Sequence, residues 1–240
     1  MAWRFELYET LGSTSDLCKE KAEAGAQEKL AIQAFVQTSG RGTRGRSWVD
    51  PGGNLAISLL FRPVNATDFL AAIPFLTALS LYETARQFST GEADFMLKWP
   101  NDLLLFERKM AGVLIEAGGR ADHKWIVVGI GANLRQAPEI EGRKLSALSE
   151  VAAPPDPVVF GHNLTLQMDH WVAVWEAAGF APIREAWLDR AHPVGRHLAV
   201  QRRETYISGS FSGLDEQGRL LLALPSGEII PVVTGDILLD

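Results

Sequence analysis

The sequence predicts an α+β fold, a mixed domain of strands and helices followed by a small β-barrel. Three observations predict it. Strand-like and helix-like segments alternate up to residue 88. Strand-like segments then follow one another between Phe95 and Gly131. From Leu198 onward, short apolar runs are separated by turn residues, Gly213 to Gly218 and Pro225 to Gly227, as in a small all-β unit.

The elements follow in order. Trp3 to Tyr8 alternates apolar and polar residues and reads as a strand. Ser13, Thr14, Ser15 and Asp16 supply N-caps for a helix over Leu17 to Ala24 that closes at Gly25. Leu30 to Gln37 and Asn54 to Arg62 read as apolar strands. Asp68 to Phe88 is the clearest helix, with Phe69, Ile73, Leu76 and Leu79 on one face. Asp68 is expected to cap it and Pro74 to start or kink it. Phe95 to Trp99, Asp102 to Phe106, Ala111 to Ala117 and Trp125 to Gly131 read as strands, with Glu107 to Lys109 as a hairpin turn. Residues 135–160 are Pro-rich and irregular, and Leu164 to Ala178 and Ile183 to Ala191 are helical. A boundary near His192 to Arg196 gives domains 1–194 and 195–240.

Composition narrows the function. Apolar residues make up 47% and charged residues 22% of 240, enough for a full core. A net charge of −6 argues against a nucleic-acid protein. The single cysteine, Cys18, excludes a disulfide within the chain and any cysteine-based metal site. With no signal-peptide pattern, it points to the cytoplasm. No apolar stretch approaches the roughly 18 residues of a membrane span. The histidines show no metal-ligand spacing, and no Ser/His/Asp constellation stands out.

Against this acidic background, Gly40 to Arg46 packs three Gly and three Arg into seven positions. Such a loop closes its backbone onto an anion and sets guanidinium forks around it. Alone, it is equally a solvated basic loop. It is neither a Walker loop nor a Rossmann fingerprint. Trp48 follows, and alone is a core anchor. Lys98-Trp99-Pro100-Asn101-Asp102 sits at a strand end. There Asp102 suits a magnesium ion or an attacking amine and Asn101 a base or ribose. Ordinary turn duty competes with both roles. Lys109 is a point-charge partner for a carboxylate and a phosphate. Gly129-Ile130-Gly131-Ala132-Asn133 ends a strand with room for close backbone approach and an amide.

In order and spacing these pieces resemble the biotin–protein ligases of the biotin/lipoate ligase superfamily. The resemblance rests on Ser13-Thr14, Gln37, Gly40 to Trp48, Lys98 to Asp102, Lys109 to Gly112, Gly129 to Asn133 and the tail from Ser208. It covers nearly the whole chain. It implies a class II synthetase-like fold, with a mixed, largely antiparallel sheet flanked by helices and a C-terminal SH3-like barrel. It implies two half-reactions. Biotin and Mg-ATP give biotinyl-5′-AMP, and a lysine of a biotin carboxyl-carrier domain then attacks the mixed anhydride.

By the family's pattern Ser13, Thr14 and Gln37 contact the biotin head, with Gly40, Gly42, Trp48 and Gly112 completing the acid's pocket. Arg41 and Arg46 meet the carboxyl and phosphates, and Lys109 bridges carboxylate and α-phosphate. Lys98, Asn101 and Asn133 lie near the nucleotide, and Asp102 near magnesium or the incoming lysine. Two departures stand out: the family commonly has Arg at Thr43 and Asn at Ser15. They keep open a lipoate or octanoate ligase or transferase, and a ligase-like binding protein without turnover. RNA binding through the Arg loop is opposed by the acidic balance. The first catalytic motif begins by residue 13, so the resemblance is to short forms without an N-terminal DNA-binding domain, and no operator binding is expected. A homodimer is compatible with the family.

Overall fold

The computed structural model describes residues 2–91, 93–120, 123–202 and 205–239. The expected second domain runs past these at 203–204 and at Asp240. The first sheet has seven strands in the order β1-β2-β3-β7-β6-β5-β4. These are β1 (Arg4–Leu11), β2 (Leu30–Gln37), β3 (Leu55–Phe61), β4 (Phe95–Lys98), β5 (Asp102–Leu105), β6 (Arg108–Gly118) and β7 (Trp125–Ala132). β1 and β2 run parallel and the other neighbours antiparallel. The expected mixed, largely antiparallel sheet is therefore observed.

Parity assigns the two faces. On one face helix α1 (Thr14–Glu23) covers Leu30, Ile32, Leu60 and Val127 through Cys18 and Ala22. On the other lie α2 (Ala66–Phe88), α3 (Pro157–Ala178) and α4 (Phe180–Leu188) over the main core, where Leu76, Leu79, Phe160 and Trp187 are fully buried.

Several local readings need correction. Asn65, not Asp68, caps α2; its side chain accepts from the Asp68 N–H. Pro74 lies inside the helix rather than at its start, and the donor it lacks faces the carbonyl of the solvent-exposed Leu70. α3 begins at Pro157, inside the stretch read as irregular, because Asp156 caps Val158 N–H at 2.7 Å and proline suits the first turn. The hairpin after β5 turns on Phe106 and Glu107, both left-handed (φ 51° and 57°). Lys109 consequently lies within β6 rather than in the turn.

The second sheet holds β8 (His197–Arg202), β9 (Thr205–Leu214), β10 (Leu220–Ala223), β11 (Ile229–Val232) and β12 (Asp236–Leu239), in the order β11-β10-β9-β8-β12. All pairings are antiparallel. Among the described residues no pairing joins β11 to β12, so the expected closed barrel is not seen; the sheet is antiparallel and open. The two sheets meet where the Trp99 indole N–H donates to Gly218 O at 2.9 Å. Gly218, at φ 76°, presses against Phe75 and Phe180, which leaves no room for a side chain.

Candidate active site

A cavity of about 500 Å³ opens on the α1 face of the first sheet, with one wall from the second. Its floor is glycine. Gly112 on β6 and Gly131 on β7 are direct cross-strand partners, and Gly129 pairs with Leu114 one step along. Each glycine lies under a neighbouring side chain. The Trp48 indole lies on Gly131, Ser15 Oγ on Gly129 and the Lys109 ammonium on Gly112. A Cβ at any of the three would strike that group, so the strand residues are glycine because the site needs their volume.

One end of the floor meets the N-terminus of α1. Ser13 sits at the N-cap, yet its side chain makes no capping bond. Gln37 Oε1 does that work, accepting from Thr14 N–H at 2.8 Å and from Thr14 Oγ1 at 3.2 Å. Ser58 on β3 donates to Thr14 Oγ1 at 2.9 Å and lies 3.1 Å from Ser15 Oγ. Ser13, Ser15 and Gln37 line the cavity, while Thr14 stands behind them.

At the other end is a three-charge cluster. Lys98 ends β4 and Asp102 begins β5, directly opposite it, with Pro100 and Asn101 in the intervening turn. Lys109 Nζ lies 2.6 Å from Asp102 Oδ1, and Lys98 Nζ 3.2 Å from Oδ2. A register shift in the β5–β6 pairing at Lys109–Met110 aims this lysine. Backbone bonds from Lys109 N–H to Lys144 O and from Ser146 N–H to Lys109 O hold it there. Burial raises the Asp102 carboxyl, but the charges of Lys109 and Lys98 outweigh it and hold the group below the usual carboxylate range. It stays anionic throughout the neutral range.

The Gly/Arg loop arches over the cavity. Trp48 N–H donates to Gly40 O at 2.9 Å, and a Cβ at Gly40 would strike Gln37 and Trp48, so that turn closes on the floor. Gly42 N–H bonds Arg46 O at 2.7 Å. Arg41 is anchored by Asp16 at 2.5 Å and Glu116 at 2.9 Å, with Lys19 bridging the same two carboxylates. Arg44 and Arg46 reach Asp236 on β12. Thr43 Oγ1 accepts from Arg46 at 3.0 Å.

Of the residues singled out from sequence, Arg41, Gly42, Arg46 and Trp48 line the cavity from above. Lys98, Asn101, Asp102, Lys109 and Gly112 line it from the sheet. Asn133 is buried below; its Nδ2 donates to Ser146 O at 3.0 Å, and it does not line the cavity. Sequence reasoning missed Ser58, the Asp16 and Glu116 anchors, and the second sheet's contribution through Gln217, Arg219 and Asp236. Ser58 had a signal: it is a lone hydroxyl in an otherwise apolar strand. The acids' pairing with the loop had none, because the arginines they hold lie 25 to 192 positions away.

Comparisons with known proteins agree with this geometry. The pattern of the biotin/lipoate A/B protein ligase family matches residues 7–133, and that of the biotin protein ligase C-terminal domain matches residues 194–240. The biotin–[acetyl-CoA-carboxylase] ligase of Paracoccus denitrificans is 36% identical over 219 residues, 88% of this chain and 91% of that protein. The bifunctional ligase/repressor of Escherichia coli (strain K12) is 30% identical over 212 residues, 86% of this chain and 65% of that protein. Among solved structures, the biotin protein ligase from Aquifex aeolicus in complex with biotin and ATP superposes with a TM-score of 0.83 at 26% identity, covering 98% of this chain and 97% of that one. The chain belongs to the biotin/lipoate A/B protein ligase family.

Proposed function

We propose that this protein is a biotin–protein ligase that activates biotin with ATP as biotinyl-5′-AMP and transfers it to a lysine of a biotin carboxyl-carrier protein. The observation that carries this is the single cavity surface joining the Gly/Arg loop, the glycine floor and the Lys98–Asp102–Lys109 cluster. The relatives of this length that attach biotin favour it over lipoate or octanoate. They also speak against a binding protein without turnover.

In the first step a biotin carboxylate oxygen attacks the α-phosphorus. An O–P bond forms, the α–β phosphoanhydride breaks, and pyrophosphate leaves. Lys109 lies between floor and cluster, where its ammonium neutralises charge on carboxylate and α-phosphate. Arg41 and Arg46 steady the phosphates from above, with Lys98 and Asn101 on the nucleotide's flank. Ser13 and Gln37 hold the acid's head at the α1 end, with Thr14 behind them fixing the Gln37 amide. Gly40, Gly42, Gly112 and Trp48 shape the slot. In the second step the carrier amine attacks the carbonyl, a C–N bond forms, AMP leaves, and the amine's proton is lost. Asp102, held anionic, orients that amine.

Magnesium accompanies ATP. Both Asp102 oxygens already face ammonium groups, and among the described residues no three His, Cys, Asp or Glu side chains converge. The protein residues do not fit a metal cage, and no step is assigned to the ion. Asn133 acts from behind, fixing the 144–146 segment that pins Lys109.

We further propose domains 1–194 and 195–240. The second is SH3-like, because β8 to β11 form a meander and β12 returns to β8. We place the protein in the cytoplasm; no described helix is long and apolar enough to cross a membrane. Homodimerisation is compatible with the family. Nucleic-acid binding is opposed by the net charge of −6, and a mobility shift at low salt tests that. Biotin-dependent exchange of labelled pyrophosphate into ATP tests the first half-reaction. Exchange without biotin, or none with it, contradicts the reading.

A further inference from the structure

Arg41 and the Arg44–Arg46 pair are restrained in different ways. Arg41 is tied to Asp16 and Glu116 on the first domain's own elements. Arg44 and Arg46 share one carboxylate from the second sheet. Asp236 Oδ2 lies 2.7 Å from Arg44 Nη1, and Oδ1 lies 3.3 Å from Arg46 Nη2. Arg44, Arg46 and Asp236 all line the cavity. Arg44 sits in the left-handed region at φ 58° and ψ 35°, which a non-glycine residue holds only when its surroundings fix it. Asp236, at the start of β12, supplies that contact.

Two guanidinium forks about one two-oxygen anion form an arrangement that a phosphate group also satisfies. The side chains are 33–44% exposed, so water screens the pairs and they exchange readily. We propose that Asp236 is a positioning residue. It occupies Arg44 and Arg46 while the site is empty, keeps the loop folded onto the second sheet, and releases both arginines to the incoming polyphosphate of the nucleotide. The second sheet thereby governs how easily nucleotide enters. This rests on reading the cavity as an ATP site.

The test is calorimetric binding of ATP, and separately of inorganic pyrophosphate, to the full chain and to Asp236→Asn and Asp236→Ser. With the competing charge gone, both anions bind about threefold to tenfold more tightly at low salt, and the gain shrinks as salt rises. The KM for ATP falls while the KM for biotin does not. Asp236→Glu restores wild-type values. Trypsin cuts the ligand-free Asp236→Asn loop after Arg44 or Arg46 faster than in wild type, and ATP restores protection. Unchanged or weaker anion binding in natively folded Asp236→Asn and Asp236→Ser overturns the proposal while leaving the ligase reading intact. A wild-type protein that binds neither ATP nor pyrophosphate overturns both.

Discussion

Replacing Gly131 by Ala tests the glycine floor. An ideal Cβ there lies 2.6 Å from Trp48 Cζ2 and 2.7 Å from Nε1. Ordinary carbon contacts begin at about 3.5 Å, so the indole must lift by about 1 Å. Gly131 is paired in β7 with no positive φ, so alanine is tolerated by the backbone. Stability therefore falls by at most about 2 kcal/mol. Overpacking costs about 1–3 kcal/mol and reduced freedom of the unfolded chain returns about 0.4–1 kcal/mol. Activity behaves otherwise. The indole ends the loop that carries Arg41 and Arg46, and a displacement of about 1 Å at a reacting centre costs on the order of 10²-fold. Thermal melting and biotin-dependent pyrophosphate exchange, measured on one preparation, separate the two effects. A variant that retains exchange within about twofold of wild type would refute the close-packed floor, because one ångström of misplacement predicts far more.

Other predictions follow from the same geometry. Lys109→Ala lowers adenylate formation about 10²–10³-fold in single-turnover assays while biotin still binds; parallel losses in binding and rate contradict the assigned role. Asp102→Asn leaves Lys98 and Lys109 facing each other in a half-buried site and costs about 1–2 kcal/mol in denaturant unfolding. Thr43→Arg adds a cation to the loop and slows release of biotinyl-5′-AMP about tenfold, for an added interaction of about 1.4 kcal/mol; an unchanged release rate refutes this. Burial, aided by Lys98 and Arg196, pushes His192 down from 6.5 to about 4. Below 6.5 the unfolded chain takes up a proton that the folded chain refuses until about 4, so stability is full above 6.5 and falls through that window. At 1.36 kcal/mol per pH unit the fall is about 3 kcal/mol. Urea titrations from pH 7 to pH 4 show it in wild type, and His192→Gln loses that component.

Much of this fold was legible because local signals and the tertiary solution agree. Leu30 to Gln37 is a strand by composition and in fact, and Lys98 to Asp102 lands at a strand end as expected. The errors have physical causes. Phe106-Glu107 forms a tight turn without the Asn or Gly that announces one, so the sequence pattern puts the turn at Glu107 to Lys109 instead. The Asp156-Pro157 start of α3 was readable but hidden in a proline-rich stretch. At the site, the cations were visible because they cluster in sequence. Their counter-ions Asp16, Glu116 and Asp236 come from α1, β6 and β12, and only the folded chain brings them together. The open order of the second sheet was beyond the sequence as well, since short strands and turns read alike in closed and open sheets.

The most direct measurement is the intact mass of a biotin carboxyl-carrier domain after incubation with this protein, magnesium, ATP and biotin, with lipoate and octanoate in parallel. The expected result is a biotin-sized gain that requires ATP and disappears with Lys109→Ala. No gain with any of the three acids, despite measurable biotin and ATP binding, would contradict it.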